Sequence, residues 1–454
     1  MGGRGSRGCE HSRPGPPAAR VRSWLRRRPV VAAVLVALLL GTGTAAGPWV
    51  PAADASAAAA VDDCAPAWTT AWQASPQPGA GERLAGRTLR LPVAPRLSGT
   101  HVRVRLSNRH GDAPLVVGTA SAAGSAGGAG LLPATVRALT FGGLPGAAVA
   151  PGAEVVSDPV PLAVAAGRPL AVSLYLPAAP ATVAEHPVAL QPSWLSRPGD
   201  VALDPGPAAF DTTLTSWPVL TAVDVLAPRP VAALLAVGDS ITDGVGAHAG
   251  ARWPDVLAAR LRAAGGPAVM SVLNAGVSGD RLLPGGAGDA VLQRLDADLA
   301  RAAGLTDVVL HAGTNDIATG REATEIVDGL AAFAGRARRA GLRVFLTTVT
   351  PAVAGPHGTG RAAAVRDAVN AWVREHGPTH ADGVFDFAAA VADPAAPYRL
   401  APASDSGDGL HLSAEGYRAL AGAVVVERLS GSPCLAGPRA AEAEGRAGGQ
   451  SATV

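Results

Sequence analysis

Polar and apolar positions alternate along the chain from about residue 58 to residue 228. Residues 101–106 read His-Val-Arg-Val-Arg-Leu, which is the period-two pattern of a strand with one buried face. Further short apolar runs follow, separated by turn residues such as Gly143 and Gly152, at 115–117, 155–156, 160–164 and 170–176. Short strands at this spacing predict an all-β sandwich domain over residues 58–228.

The pattern changes at about residue 229, where apolar runs begin to alternate with stretches of helical periodicity. The predicted strands are 231–237, 269–273, 307–311, 343–349 and 384–387. The predicted helices are 253–264, 289–300, 322–338, 361–376 and one that begins near Ser413, a good N-cap residue. Strands joined by helices predict an α/β domain over residues 229–434, with a five-stranded parallel sheet covered on both faces.

The two ends of the chain have different compositions from the rest. Three arginines at 26–28 precede the apolar run 30–40, and small residues follow near 53–57. This order predicts a signal peptide over residues 1–57, because the apolar run is shorter than the roughly 20 residues that span a bilayer. We therefore expect an extracellular protein without a stable membrane anchor, exported by the general or the twin-arginine route. The tail 435–454 lacks periodicity and is predicted to be disordered.

The amino-acid composition excludes some classes of function. Hydrophobic residues make up 48% of the chain, the net charge is +2 and the sequence contains no lysine. A nucleic-acid-binding protein would concentrate positive charge on one face, and a P-loop would need its lysine, so neither class is expected. The cysteines and histidines do not show metal-ligand spacing, and we predict neither a metal nor a cofactor. Beyond the signal region the cysteines are Cys64 and Cys434, for which we predict a disulfide, with two free thiols as the alternative.

Candidate chemistry lies where the predicted parallel strands end. Ser240 follows the first strand, residues 274–276 follow the second, and Asn315 follows the third. Asp408 and His411 fall in a loop between the fifth strand and the last helix. Because ligands bind at the carboxyl ends of parallel strands, we expect these groups to meet on one edge of the sheet although they are distant in sequence.

Together these residues can perform acyl transfer. Ser240 would be the nucleophile, His411 its general base, and Asp408 the carboxylate that orients the imidazole. The N–H groups of Ser240 and Gly276 and the amide of Asn315 would form the oxyanion hole. Taken singly, each residue could merely cap a helix or close a turn, and the combination favours catalysis. Four residues near the site have other expected roles: Asp239 and Asp316 brace loops, His311 packs in the core, and Arg281 is a candidate substrate contact.

Four sequence blocks resemble the SGNH (GDSL-type) hydrolase family. They are Gly238-Asp239-Ser240, the Asn-Ala-Gly-Val-Ser-Gly stretch at 274–279, Gly313-Thr-Asn315-Asp316 and Asp408-Gly-Leu-His411. The resemblance implies a flavodoxin-like three-layer fold, Ser240 and His411 as the catalytic pair, and Gly276 and Asn315 in the oxyanion hole. The stretches 68–72, 105–108 and 157–159 are similar to the β-rich N-terminal domain of secreted actinobacterial members, some of which are grouped with carbohydrate acetylesterases.

We therefore expect a secreted serine esterase that acts on short-chain or acetyl esters of carbohydrates. A lipase or phospholipase that acts on lipid esters is the main alternative, and a peptidase or thioesterase would use the same residues. A glycan-binding protein with an inert hydrolase domain is a further alternative from a different class. The expected partner is an ester substrate, either an acetylated polysaccharide or a lipid.

Overall fold

The computed structural model describes residues 64–285 and 288–436. The predicted signal peptide and the part of the predicted tail after residue 436 lie outside the described residues. The described residues group into one compact unit, so the predicted division at residues 228 and 229 stays a prediction. Among the described helices, none has the length and apolar character needed to cross a membrane.

The first part of the described chain, here called the β-rich region, consists of strands and short turns. Its strands are β1 (Ala67–Gln73), β2 (Gln77–Ala80), β3 (Arg87–Val93), β4 (Gly99–Ser107), β5 (Leu115–Val117), β6 (Ala120–Gly127), β7 (Gly130–Leu131), β8 (Arg137–Ala138), β9 (Ala147–Val149), β10 (Glu154–Val156), β11 (Val160–Val164), β12 (Leu170–Leu176), β13 (Thr182–His186), β14 (Ser193–Pro198), β15 (Phe210–Leu214), β16 (Trp217–Pro218) and β17 (Leu220–Ala227).

Two antiparallel sheets of this region share one core. One sheet has the order β1-β17-β4-β10, and the other has the order β15-β14-β3-β12-β6-β7. Val102 and Val104 of β4 are fully buried in the same cluster as Leu89 and Leu91 of β3. The alternating pattern of β4 therefore predicts correctly a strand with one buried face, because every second side chain enters the space between the sheets.

The second part, here called the α/β region, alternates strands and helices as predicted. Its strands are β18 (Ala233–Gly238), β19 (Ser271–Gly276), β20 (Leu305–His311), β21 (Arg343–Thr347), β22 (Gly383–Phe385), β23 (Ala392–Asp393) and β24 (Ala396–Leu400). Its helices are α1 (Ser240–Asp243), α2 (Trp253–Ala264), α3 (Val291–Arg301), α4 (Thr314–Ala318), α5 (Ala323–Arg339), α6 (Gly360–Glu375), α7 (Gly377–His380), α8 (Phe387–Val391) and α9 (Ala414–Ala423).

The parallel sheet has the order β19-β18-β20-β21-β22 and separates two hydrophobic clusters. Leu235 and Val237 of β18 pack with α3, α5 and α6 on one face. Leu234 and Ala236 pack with α2 and α9 on the other face. Because successive side chains of a strand point to opposite faces, β18 is apolar throughout, and the predicted three-layer arrangement is confirmed.

The α/β region also contains elements that the sequence pattern did not predict. A short helix, α1, begins at Ser240 itself, and α8 with the β23–β24 hairpin stands between the last sheet strand and the loop of His411. The predicted disulfide is confirmed, since Cys64 and Cys434 are bonded across a sequence separation of 370 residues. It joins the two ends of the described chain.

Buried hydrogen bonds connect the β-rich region to the α/β region. Thr70 of β1 donates its N–H to the carbonyl of Ala303 at 3.0 Å, and its own carbonyl accepts Ser271 Oγ at 2.6 Å. Gln73 donates its side-chain amide to the carbonyl of Asp298 at 3.1 Å. Each region therefore supplies hydrogen-bond partners for buried polar groups of the other region.

Candidate active site

Ser240 lies at the junction between the central strand β18 and the short helix α1. Asp239 is the N-cap of that helix, and its side chain accepts the N–H of Ile241 at 3.0 Å. Gly238 permits the close packing that this junction needs, because a Cβ there would lie 2.3 Å from the carbonyl oxygen of His311. The strand end and the helix start thus fix Ser240 at the carboxyl edge of the sheet.

The structure brings Ser240, His411 and Asp408 together in one hydrogen-bonded chain. Ser240 Oγ lies 3.0 Å from His411 Nε2, and His411 Nδ1 lies 2.7 Å from Asp408 Oδ2. Because a carboxylate only accepts, Nδ1 carries the proton of the neutral imidazole, and Nε2 is left to accept the serine proton. This is the geometry that a general base requires before a serine can attack.

The turn that contains Asp408 keeps this carboxyl group ionised. Asp408 Oδ1 accepts the N–H groups of Leu410 and His411 at 2.9 and 2.8 Å. Partial burial raises the pKa of Asp408, but the hydrogen bonds from the His411 ring and from these backbone N–H groups outweigh it and lower the pKa to about 2. The carboxylate is therefore available to stabilise an imidazolium at neutral pH.

Asn315 lies in the first turn of α4, directly after strand β20, as predicted. Its amide Nδ2 donates one hydrogen bond to the carbonyl oxygen of Asp280 at 2.7 Å. An amide nitrogen carries two protons, so this bond fixes the side chain and leaves one N–H for a second acceptor. Asn315 therefore keeps one amide N–H that could bind an oxyanion, and its place in the oxyanion hole stays a prediction.

Gly276 is placed differently from what the sequence predicts. It is the last residue of β19, and its N–H donates to Asn274 Oδ1 at 2.8 Å, so the donor already has an acceptor. A Cβ at Gly276 would lie 2.2 Å from the backbone nitrogen of Asp243, which gives this glycine a packing role against α1. The assignment of Gly276 to the oxyanion hole is therefore corrected.

Gly279 offers a candidate oxyanion donor that the sequence pattern did not indicate. It lies on the loop after β19 with φ of +79°, a conformation that favours glycine. Within the part of the chain that the structure describes, its N–H has no hydrogen-bond acceptor, and the carbonyl of the next residue, Asp280, holds the Asn315 amide. The available signal was the second glycine of the Asn-Ala-Gly-Val-Ser-Gly block, which comes after the strand has ended.

A cavity of about 300 Å³ lies beside this loop. Both regions line it: Gln77 and Pro78 of β2 contribute from the β-rich region, and residues 278–281 contribute from the α/β region. Arg281 is among the lining residues, as its predicted substrate contact requires, and that role stays a prediction. The contribution of Gln77 had no sequence signal, because it depends on how β2 packs against a distant loop.

Buried titratable groups surround the site. Burial raises the pKa of Asp239 to about 7, although the hydrogen bond from Ile241 opposes the rise. Burial also raises the pKa of Asp316, whose carboxylate accepts the N–H groups of Leu282 and Leu283 at 2.8 and 3.0 Å. These contacts have the loop-bracing character predicted for both aspartates. Among the described residues, no three His, Cys, Asp or Glu side chains are arranged to hold a metal ion.

Comparison with known proteins agrees with the geometry in the α/β region. Residues 236–419 match the GDSL-like Lipase/Acylhydrolase family. The chain carries a GDSL-type ester hydrolase domain. No curated protein matches the sequence. The resemblance of the β-rich region to secreted actinobacterial proteins stays a prediction.

Several solved structures resemble part of the chain. A member of the lipolytic protein G-D-S-L family from Veillonella parvula is 20% identical, with 42% of this chain and 94% of that chain covered and a TM-score of 0.33. A carbohydrate acetylesterase family member from Sinorhizobium meliloti is 21% identical over 42% of this chain and 94% of that chain, with a TM-score of 0.33. The structure of TesA is 26% identical over 42% of this chain and 95% of that chain, with a TM-score of 0.32.

Proposed function

We propose that the protein is a secreted serine esterase that cleaves short-chain or acetyl esters of carbohydrates through an acyl-enzyme. The observation that carries the catalytic part is the hydrogen-bonded chain from Ser240 Oγ through His411 to Asp408, at 3.0 and 2.7 Å. A serine with an oriented histidine at its hydroxyl is the arrangement that activates a weak nucleophile.

The reaction follows from these contacts. Ser240 Oγ attacks the ester carbonyl carbon while its proton passes to His411 Nε2, and the carbonyl electrons move onto the oxygen. The N–H groups of Ser240 and Gly279 and the free N–H of the Asn315 amide stabilise that oxyanion. The C–O bond to the alcohol then breaks, and the alcohol leaves with the proton from His411. Water repeats these steps on the acyl-enzyme, which releases the carboxylic acid and restores Ser240.

The cavity supports a small polar substrate. Its volume of about 300 Å³ is at the low end for ligand sites, which favours a small substrate group beside the Gly279 loop. Gln77 and Arg281 line it, and side chains of these two types can donate hydrogen bonds to the hydroxyl groups of a sugar. These features favour a carbohydrate ester over the long apolar chain of a lipid ester.

Export is a further part of the proposal. It is supported by the predicted signal peptide and by the bond between Cys64 and Cys434, because disulfides persist mainly in oxidising compartments. Fractionation of cells that produce the full chain tests it. Recovery of the processed protein from the medium is expected, and retention inside the cytoplasm would refute export.

The substrate test compares p-nitrophenyl esters from acetate to palmitate, with the wild type beside Ser240→Ala. We expect turnover of the short esters and its loss in the variant, which should keep the wild-type fold by circular dichroism. Hydrolysis that persists in Ser240→Ala would refute the nucleophile. Acetylated xylan beside a long-chain triglyceride then distinguishes a carbohydrate esterase from a lipase, and a preference for the triglyceride would overturn the substrate class.

A further inference from the structure

The loop that carries Gly279 is held by a carboxylate on the helix of the nucleophile. Asp243 is the last residue of α1, the helix that Ser240 begins, and it is fully buried. Its Oδ2 accepts the N–H of Ser278 at 2.9 Å and the Ser278 hydroxyl at 2.6 Å. Asp243 therefore fixes the residue directly before Gly279 relative to Ser240.

The other oxygen of Asp243 is bound by a histidine from the β-rich region. His186, at the end of β13, is 3% exposed, and its Nε2 lies 3.0 Å from Asp243 Oδ1. Its Nδ1 lies 2.9 Å from the carbonyl oxygen of Ser75, and its ring stacks on Trp217 with the centroids 5.6 Å apart. Three neighbours thus fix the orientation of the imidazole.

Both ring nitrogens of His186 lie beside hydrogen-bond acceptors. A backbone carbonyl and an ionised carboxylate can only accept hydrogen bonds, so both contacts form when both ring nitrogens carry protons. Burial raises the pKa of Asp243, but the charge and hydrogen bond of His186 outweigh burial, together with Arg252 and the Ser278 hydroxyl, and the net pKa lies below its usual value. Both oxygens of the Asp243 carboxylate are therefore held by hydrogen-bond partners, Oδ2 by Ser278 and Oδ1 by His186.

A second support for the same loop also involves the β-rich region. The buried Arg294 donates from Nε to Asp280 Oδ2 at 2.7 Å and from Nη2 to the carbonyl of Gly238 at 3.0 Å. Ser75 Oγ donates to Asp298 Oδ1 at 2.9 Å and lies 3.3 Å from Arg294 Nη1. Ser75 therefore contacts both supports of residues 278–280, His186 through its carbonyl and the Arg294 network through its hydroxyl.

We propose that His186 is a positioning residue for ester hydrolysis, which acts through Asp243 to hold residues 278–280 and the Gly279 N–H in place for the oxyanion. The β-rich region is then a structural part of the active site and does more than supply a wall of the substrate cavity. This inference rests on the proposed serine esterase function.

The role predicts a specific kinetic signature. An oxyanion donor interacts with the charge that develops in the transition state, so its misplacement lowers kcat and leaves KM nearly unchanged. Misplacement of such a group by about 1 Å can cost about 100-fold in rate. A purely structural role would instead lower thermal stability without changing kcat of the folded enzyme.

Two substitutions of His186 separate its two contacts. In His186→Gln the amide nitrogen takes the place of Nε2 and can still donate to Asp243. In His186→Asn the amide nitrogen takes the place of Nδ1 and can still donate to the Ser75 carbonyl, but it does not reach Asp243. Each variant therefore keeps one hydrogen bond and loses the other.

The experiment measures kcat and KM for p-nitrophenyl acetate on the full processed chain, with the melting temperature of each variant. We expect kcat of His186→Asn to fall about 10- to 100-fold with KM little changed, and His186→Gln to recover most of the loss. Equal kcat in His186→Asn and the wild type would overturn the proposal, as would a loss of the same size in both variants.

Two further variants keep the test interpretable. Arg96→Gln is a control. It removes an ion pair that Arg96 of the β-rich region forms with Asp255 of the α/β region, and it should lower stability without lowering kcat. If His186→Asn does not fold, Ser278→Ala removes one bond to Asp243 from the loop side and should also lower kcat at constant KM. Wild-type kcat in that variant would overturn the proposal. A wrong assignment of the esterase function would give a different result: Ser240→Ala would hydrolyse the ester as fast as the wild type does.

Discussion

The buried His311 should make the stability of the protein sensitive to mild acid. His311 ends strand β20 and is 1% exposed, and its Nδ1 lies 2.8 Å from Thr347 Oγ1. Since Thr347 Oγ1 donates its own proton to the carbonyl of Leu310 at 3.1 Å, it accepts from Nδ1–H. The neutral ring thus has an unprotonated Nε2, for which the described residues offer no hydrogen-bond partner.

The magnitude follows from the two pKa values of this histidine. Burial lowers the pKa of His311 from its ordinary value of 6.5 to about 4. Between pH 6.5 and pH 4, His311 is protonated in the unfolded chain but stays neutral in the folded protein. The free energy of unfolding therefore falls as the pH drops from about 6.5 to 4. The gap of about 2.5, at about 1.4 kcal/mol per unit, corresponds to a loss of about 3 kcal/mol.

The substitution His311→Asn removes the titrating group and keeps a donor for Thr347. We expect the variant to be less stable at pH 7, because a smaller side chain leaves space in the core, but to lose about 3 kcal/mol less than the wild type between pH 7 and pH 4. Urea unfolding followed by tryptophan fluorescence at the two pH values measures this difference. His380→Asn, at an exposed position, controls for the loss of a histidine. An equal pH-dependent loss in the wild type and His311→Asn would refute the reasoning.

Three further variants test the site and the fold. Asn315→Ala should lower kcat for p-nitrophenyl acetate by about 100- to 1,000-fold with little change in KM, since it removes one oxyanion donor; a purely KM-based defect would contradict this. Gly276→Ala should lower the melting temperature sharply, because the new Cβ would lie 2.2 Å from the backbone nitrogen of Asp243, and wild-type stability would contradict that packing role. Cys64→Ser opens a bond between residues 370 apart and should lower the free energy of unfolding by up to roughly 5 kcal/mol, with the reduced wild type as its matched control.

The α/β region was predictable from sequence because its signals are local and redundant. Each sheet strand is an apolar run between helical stretches, and β18 is buried along its whole length. The carboxyl ends of parallel strands share one edge, so the order of the motifs was sufficient to bring Ser240, Asn315 and His411 together. The contacts of Ser240 with His411 and of His411 with Asp408 are those the motifs predicted.

The choice between Gly276 and Gly279 depended on where a strand ends. The predicted strand stopped at residue 273, which placed Gly276 in the loop and made its N–H a candidate donor. The observed β19 continues to Gly276, and the loop begins after it. Strand boundaries are set by backbone pairing with a neighbour, here Gly238 opposite Gly276, and a single apolar run does not reveal that pairing.

The contacts between the two regions could not be predicted from the sequence, because they too depend on tertiary packing. His186 and Ser75 lie in the β-rich region, where periodicity shows which side chains face inward but not which sheet surface meets another region. Their partners, Asp243 and Asp298, are distant in sequence and become neighbours through tertiary packing. The spacing of residues along the sequence does not reveal that a buried histidine lies beside a carboxylate.

The charges behind residues 278–280 explain why these contacts should be interdependent. The carboxylates of Asp243, Asp280 and Asp298 are buried, and they face the His186 ring and the Arg294 guanidinium. Burial alone would favour neutral carboxyl groups, and it raises the pKa of Asp280 to about 6 even with Arg294 beside it. Removal of one cation would leave a buried carboxylate without its partner, which typically costs about 3–5 kcal/mol, whereas isosteric neutral replacement of both members of a pair costs less. Neutral substitution of both His186 and Asp243 should therefore cost less stability than substitution of Asp243 alone. kcat should fall in both cases, because the Gly279 loop has lost the carboxylate that holds Ser278.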